Sequence, residues 1–174
     1  MIGFRHADPR FPFLWESTAQ PQARWHTDGS GPVQYLAESP DGAWAELLRH
    51  EGITEAADLD GLRRALWAID LPEVPETRPA LPTTDLLGDI DSWTACQAEA
   101  ERLRTSGALG LVAPSAALAS GSSGFGVHGG LQPGPARTES VMALFGPRPD
   151  LVGWAACAVG RPRADLLARV RLLG

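Results

Sequence analysis

Residue types with chemical use are concentrated in the first third of the chain. Arg5 follows Phe4, Arg24 opens Arg24-Trp25-His26, Tyr35 is the only tyrosine, and Glu46 closes Ala43-Trp44-Ala45-Glu46. Arg24 to Tyr35 and Tyr35 to Glu46 are both steps of eleven positions. Ser115 stands far downstream, in Val112-Ala113-Pro114-Ser115-Ala116. A guanidinium grips phosphates and carboxylates through paired, charge-assisted hydrogen bonds. An aromatic ring faces a cation, a carboxylate steadies growing positive charge, and a hydroxyl orients either. Singly, each has a plain structural reading: Arg24 pairs with an acid, Tyr35 sits in the core, and Glu46 is a solvated helix residue.

Other chemistries are excluded by what is missing or misplaced. All fifteen basic residues are arginine, which removes Schiff-base, pyridoxal and P-loop lysines. His6, His26, His50 and His128 show no H-x-x-x-H or Cys/His spacing, so no metal site is expected. Cys96 and Cys157 lie 61 positions apart, with no CxxC and too few partners for a disulfide framework. Ser115 lacks the glycines of a nucleophile elbow. Gly124 to Gly129 matches GxGxxG, but Gly130, Pro133 and Pro135 block the helix that a dinucleotide fingerprint must open.

The elements that must position these residues can be sketched from pattern. The 174 residues suit one domain, taken as 1–174, and 44% hydrophobic with 21% charged residues is an ordinary globular balance. Fifteen basic against twenty-one acidic residues give a net charge of −6, so an anionic ligand must be held by locally placed cations. The start carries no secretory pattern and no stretch is long and apolar enough to span a membrane, which makes a cytoplasmic location the expectation. Val33 to Ala37 reads as a strand after the breaker Gly29-Ser30-Gly31-Pro32. Ser39-Pro40 then caps a helix whose stripe is Ala43, Trp44, Leu47 and Leu48 and which stops at Gly52. Glu46 lies about 140° from that stripe, off the core face. Residues 58–71 fit helix or strand, 72–82 hold four prolines and form a connection, and Ile90 to Leu103 repeat helically up to Gly107. Leu109 to Ala113 is a buried-strand candidate, 119–139 a glycine-rich loop, Val141–Phe145 and Val152–Val159 further strands, and Leu166–Leu173 a strand or helix. The expected class is α+β.

In order and spacing, these pieces resemble the RES-domain family, toxins of RES–Xre toxin–antitoxin systems. The resemblance rests on Phe4-Arg5, Arg24-Trp25-His26, Tyr35-Leu36-Ala37, Ala43 to Glu46, and Val112 to Ala116, over roughly residues 3–160. Leu87-Gly88-Asp89 with Trp93 is similar to the family's approach to the serine segment, and Glu139 to Pro149 to its terminal stretch. Two positions depart: His26 and Ser140 stand where the family commonly has Asn.

The resemblance implies an ADP-ribosyltransferase-like fold, with two packed twisted sheets and a few helices around an NAD cleft. It implies a transferase-type enzyme that breaks the nicotinamide–ribose bond of NAD+, with inorganic phosphate or water as acceptor. ADP-ribosyl transfer to a protein and a non-catalytic nucleotide-binding or partner-binding module are the alternatives. Under it, Glu46, Arg24 and Ser115 are the catalytic candidates; Arg5, Arg24, Tyr35, His26 and Ser115 are the NAD+-binding ones. Arg5 and Arg24 would hold the pyrophosphate, Tyr35 the nicotinamide, Glu46 the charge on the ribose, and Ser115 the carboxamide or ribose. Phosphate would fall to Arg24, His26 or amides of 119–139. The implied partner is an Xre-type antitoxin, with no metal, nucleic acid or membrane, and a homo-oligomer left open.

Overall fold

In the computed structural model, which describes residues 1–14, 16–17, 19–127 and 131–173, the chain is mixed α+β. Strands β1 (Ile2–Ala7), β2 (Val33–Ala37), β3 (Arg64–Asp70), β4 (Gly110–Pro114), β7 (Ser140–Phe145) and β8 (Val152–Gly160) form one antiparallel sheet. Its order is β4-β7-β2-β1-β3-β8. β5 (Ser123–Val127) and β6 (Leu131–Arg137) form a separate two-stranded antiparallel ribbon. The main helices are α1 (Pro40–His50), α2 (Thr83–Leu87) and α3 (Trp93–Thr105).

The large sheet is nearly divided. β1 pairs with β3 over six positions and β2 with β7 over five, whereas β1 meets β2 only at Phe4↔Ala37. Two three-stranded halves, β4-β7-β2 and β1-β3-β8, therefore diverge from one shared pair. Two packed sheets were the expectation; the strands instead share a single hydrogen-bonded order, because β1 bridges both halves.

α1 packs against β1 and β2 at this joint. Its start follows the sequence: the Ser39 hydroxyl accepts from the Gly42 N–H at 3.0 Å and Pro40 occupies the first turn. Arg49 and His50 favour its carbonyl-rich end, and Gly52 at φ +64° lets the chain turn away. Trp44, Leu47 and Leu48 enter a core with Phe4, Leu66, Leu118 and Leu166. α3 covers the other half, placing Cys96, Ala100 and Leu103 on Trp25, Val33, Leu111 and Phe145. Leu36, Ile69, Leu71, Met142 and Leu144 form a third apolar cluster.

Several expectations change. The ambiguous 58–71 resolves into a short 3-10 helix, Ala56–Gly61, and then β3, since Leu66 and Ile69 gain burial between β1 and β8. Leu109 is 70% exposed, and the buried strand begins at Gly110. The glycine-rich 119–139 is not one loop but contains β5 and β6; a two-stranded ribbon has open edges, where Pro133 and Pro135 cost no interior ladder bond. His128 and Gly129 of the GxGxxG match, with Gly130 after them, lie outside the described residues. The last segment is neither strand nor α-helix but a 3-10 helix, Ala164–Arg169, tied back by the bridge Leu118↔Val170.

Candidate functional site

Where β1 and β2 diverge, a cavity of about 290 Å³ opens beneath α1. Arg5 and His6 of β1 line it, as do Tyr35 of β2, Glu46, Arg49 and His50 of α1, and Arg24 from the loop before β2. Trp25, Trp93 and Phe4 give it aromatic walls. The volume sits at the lower end of the usual range for ligand pockets, enough for one ring and a sugar with the remainder of a longer ligand at the mouth.

Glu46 leaves α1 on the side away from Leu47 and Leu48, so its half-buried carboxylate meets the cavity and not the core. The Ser115 hydroxyl donates to Glu46 Oε1 at 3.2 Å. Burial pushes the Glu46 carboxyl above its ordinary range; the Ser115 bond and the charges of Arg49 and Arg24 pull it back down. Ser115 itself is fully buried, and its oxygen also accepts from the N–H groups of Ala117 and Leu118 at 3.2 and 3.1 Å. It is not a wall residue; its neighbours Pro114 and Ala116 are. Ser115 therefore acts on the cavity through Glu46.

Arg24 sits at the tip of a turn closed by reciprocal bonds between Ala23 and His26, at 3.0 and 3.2 Å. Gln97 of α3 donates to both of their carbonyls, which fixes that turn on the helix. The guanidinium is largely committed. Nη1 donates to the Asp85 carbonyl at 2.9 Å and to Ser92 Oγ at 3.1 Å, and Nη2 to the Gly88 carbonyl at 2.5 Å. Arg49, 5% exposed, meets the same carbonyl at 3.0 Å and also holds Asp89, Ala116 and Arg171. Gly88 is thus where two cavity arginines converge, and a Cβ there would lie 2.6 Å from the Thr84 carbonyl. This explains the Gly88-Asp89 pair in the sequence: glycine permits the close approach, and Asp89 neutralises Arg49.

Arg5 is freer. Its Nη1 donates to the Gln34 side chain, and burial lowers its pKa from the ordinary arginine value. Tyr35 presents its ring to the cavity while its hydroxyl turns away, accepting from the Trp25 N–H at 3.1 Å and meeting His26 Nδ1 at 2.9 Å. His26 Nε2 lies 2.7 Å from the Pro21 carbonyl, which can only accept, so Nε2 carries the proton and Nδ1 takes one from Tyr35. Burial lowers the pKa of this imidazole and raises that of the Tyr35 phenol. His26 is 1% exposed and does not reach the cavity wall; it orients Tyr35 from behind. Ser140 does not line the cavity either, and its N–H donates to Glu38 Oε2 at 3.0 Å.

Of the sequence candidates, Arg5, Arg24, Tyr35 and Glu46 share one cavity, while His26 and Ser115 stand one layer behind it. Sequence reasoning missed Arg49, His50, His6 and Trp93. Arg49 and His50 were legible in principle, three and four positions beyond Glu46 on one helix face. His6 follows Arg5 in β1, and its pKa is depressed to about 3 by burial and by the charges of Arg5, Arg64 and His50. Among the described residues, no His/Cys/Asp/Glu group could hold a metal, and no helix is long and apolar enough to cross a membrane.

Comparison with known proteins bears on the whole of this arrangement. A family model, RES domain, matches residues 3–141, the span that contains Arg5, His6, Arg24, Tyr35, Glu46, Arg49, His50, Trp93 and Ser115 of the site. No curated protein matches the chain.

Proposed function

The chain belongs to the RES-domain family, and from that premise we propose that it is a toxin-type enzyme that consumes NAD+ by splitting the nicotinamide–ribose bond. The observation that carries this reading is Glu46: among the described residues the one carboxylate lining a cavity that also presents arginine, histidine, aromatic and aliphatic side chains, half-buried and held by Ser115 at 3.2 Å. Cleavage of an N-glycosidic bond to a cationic ring builds positive charge on the ribose, and a fixed carboxylate in a poorly solvated site stabilises it strongly. The Tyr35 ring and the Trp walls suit a planar pyridinium. Arg5, with one side-chain bond of its own, is better placed than Arg24 to take the pyrophosphate.

In the proposed step the bond from ribose C1′ to the ring nitrogen breaks, and its electron pair goes to nitrogen, so nicotinamide leaves neutral. An oxygen of phosphate or water forms the new bond at C1′, on the face away from the departing ring, and where water attacks it gives up one proton to solvent. Phosphate would be favoured by the cationic lining, where, with Arg49 paired to Asp89, Arg5 and Arg24 still outnumber Glu46, the one lining acid among the described residues. An antitoxin of the Xre type would silence the protein by covering this cavity.

Purified protein incubated with NAD+ tests the reading. We expect free nicotinamide, released faster as phosphate is added, with a phosphorylated ADP-ribose as co-product. NAD+ that binds and stays intact would favour a non-catalytic module. Loss that requires an added protein would favour ADP-ribosyl transfer.

A further inference from the structure

The two edges of the large sheet are treated differently. At one edge β4 is covered: the Val112 N–H donates to the Thr77 carbonyl at 2.9 Å, and Pro75 packs on Gly110. At the other, β8 pairs only with β3, and among the described residues no backbone group of Val152–Gly160 bonds to any further segment. β8 is also unguarded. Natural edge strands are kept short, or carry charges or proline, because an open row of N–H and C=O groups templates another strand. β8 runs nine residues, VGWAACAVG, without a charge or a proline. Val152, Trp154 and Val159 are 55, 54 and 57% exposed, and Ala155, Ala156 and Ala158 are exposed as well. Small side chains at the centre leave room for a neighbouring backbone.

We propose that this edge is a self-association surface, pairing antiparallel with β8 of a second copy about a two-fold axis at Ala156. The chemistry of the strand fits itself in that register. Ala156 faces its own counterpart, Ala155 faces Cys157, and the large Trp154 faces the small Ala158, which is cross-strand complementarity of size. The strand ends differ in charge, which favours the antiparallel orientation. Before β8, Asp150, Glu73 and Glu16 surround Arg148, an excess of two negative charges. After it come Arg161 and Arg163, balanced by Asp60 and Asp165. Antiparallel pairing sets Asp150 against Pro162 of the other copy, between Arg161 and Arg163; parallel pairing would set acidic end against acidic end. Pro149 and Pro162 bracket the ladder and limit its length. The result is a twelve-stranded continuous sheet with the cavities of both copies at a distance from the joint, since no residue of β8 lines the cavity.

Sedimentation equilibrium over a wide concentration range, with three single variants, tests this. Wild-type protein should form a concentration-dependent dimer. Ala156→Lys and Ala156→Asp each place like charges face to face across the axis and should each be monomeric, with unchanged circular dichroism because the site is exposed. Mixed together, they should heterodimerise. Leu109→Ser, which removes an exposed leucine elsewhere, should leave the dimer intact. A wild type that stays monomeric at every concentration overturns the proposal, including the case where a different protein caps β8. So does a dimer that survives both charged variants, or a mixture that fails to associate.

Discussion

The Glu46 carboxylate is held between opposing influences: burial raises its pKa, while the Ser115 hydroxyl and two arginines lower it. Because the proposed role needs the ionised form, activity should fall as pH drops through a value above the ordinary carboxylate range. Ser115→Ala removes a donor to the charged form, so the acidic limb of the kcat profile should move to higher pH, with kcat at neutral pH down about tenfold. A limb that stays in place would show that Ser115 does not act through Glu46. The serine was legible from its segment, but its position behind the wall was not, because that depends on how the chain leaves β4 after Pro114 to bring the hydroxyl to Glu46 of α1. The same holds for His26. Its side chain could be named from the sequence, yet only the fold shows both its nitrogens spent on Tyr35 and Pro21.

At the scale of elements, the cavity exists because β1 and β2 share one residue pair and then part, and because α1 lies over the joint. Local pattern found α1 almost to the residue, since Ser39, Pro40 and Gly52 are strong punctuation. It also found β2, β7 and β8. It could not see the division of the sheet, which arises from strand order across more than a hundred positions. Nor did it see β5 and β6, where glycine-rich sequence lacks apolar alternation. The loop between α2 and α3 depends on one small residue. At Gly88, whose φ of −67° suits any residue, the obstacle is space: a Cβ would meet the Thr84 carbonyl and Ser92 Cβ at 2.6 and 2.9 Å. Gly88→Ala should therefore cost about 1–3 kcal/mol through overpacking, read as a lower thermal midpoint, and should weaken the hold on both Arg24 and Arg49. An unchanged midpoint would mean that the loop yields freely.

For the molecule as a whole, a fully buried carboxyl at Glu139 contributes to the pH dependence of stability. It lies under the start of α1, near Ser39, Ser123 and Gly42, and burial is the main cause of its raised pKa. Between the ordinary value of 4.5 and the raised one, the folded protein holds a proton that the unfolded chain has released. The contribution of Glu139 to stability must then fall as pH rises through that window, while that of His6, depressed to about 3, rises with pH toward its ordinary value of 6.5. Glu139→Gln should therefore gain stability relative to wild type as pH rises from acidic to neutral, measured by denaturant unfolding at each pH. Parallel curves for wild type and variant would remove Glu139 from this role. The overall α+β class followed from composition and alternation, while the convergence of residues from β1, β2, α1 and α3 on one cavity emerges only at this scale.

The most direct measurement is the rate of nicotinamide release from NAD+ by wild type and by Glu46→Gln, with both shown folded by circular dichroism. Glutamine keeps the shape of the side chain and removes its charge. The account predicts turnover by the wild type and a loss of at least about a hundredfold in the variant, the scale of removing one preorganised electrostatic stabiliser. Equal rates in the two proteins would contradict it.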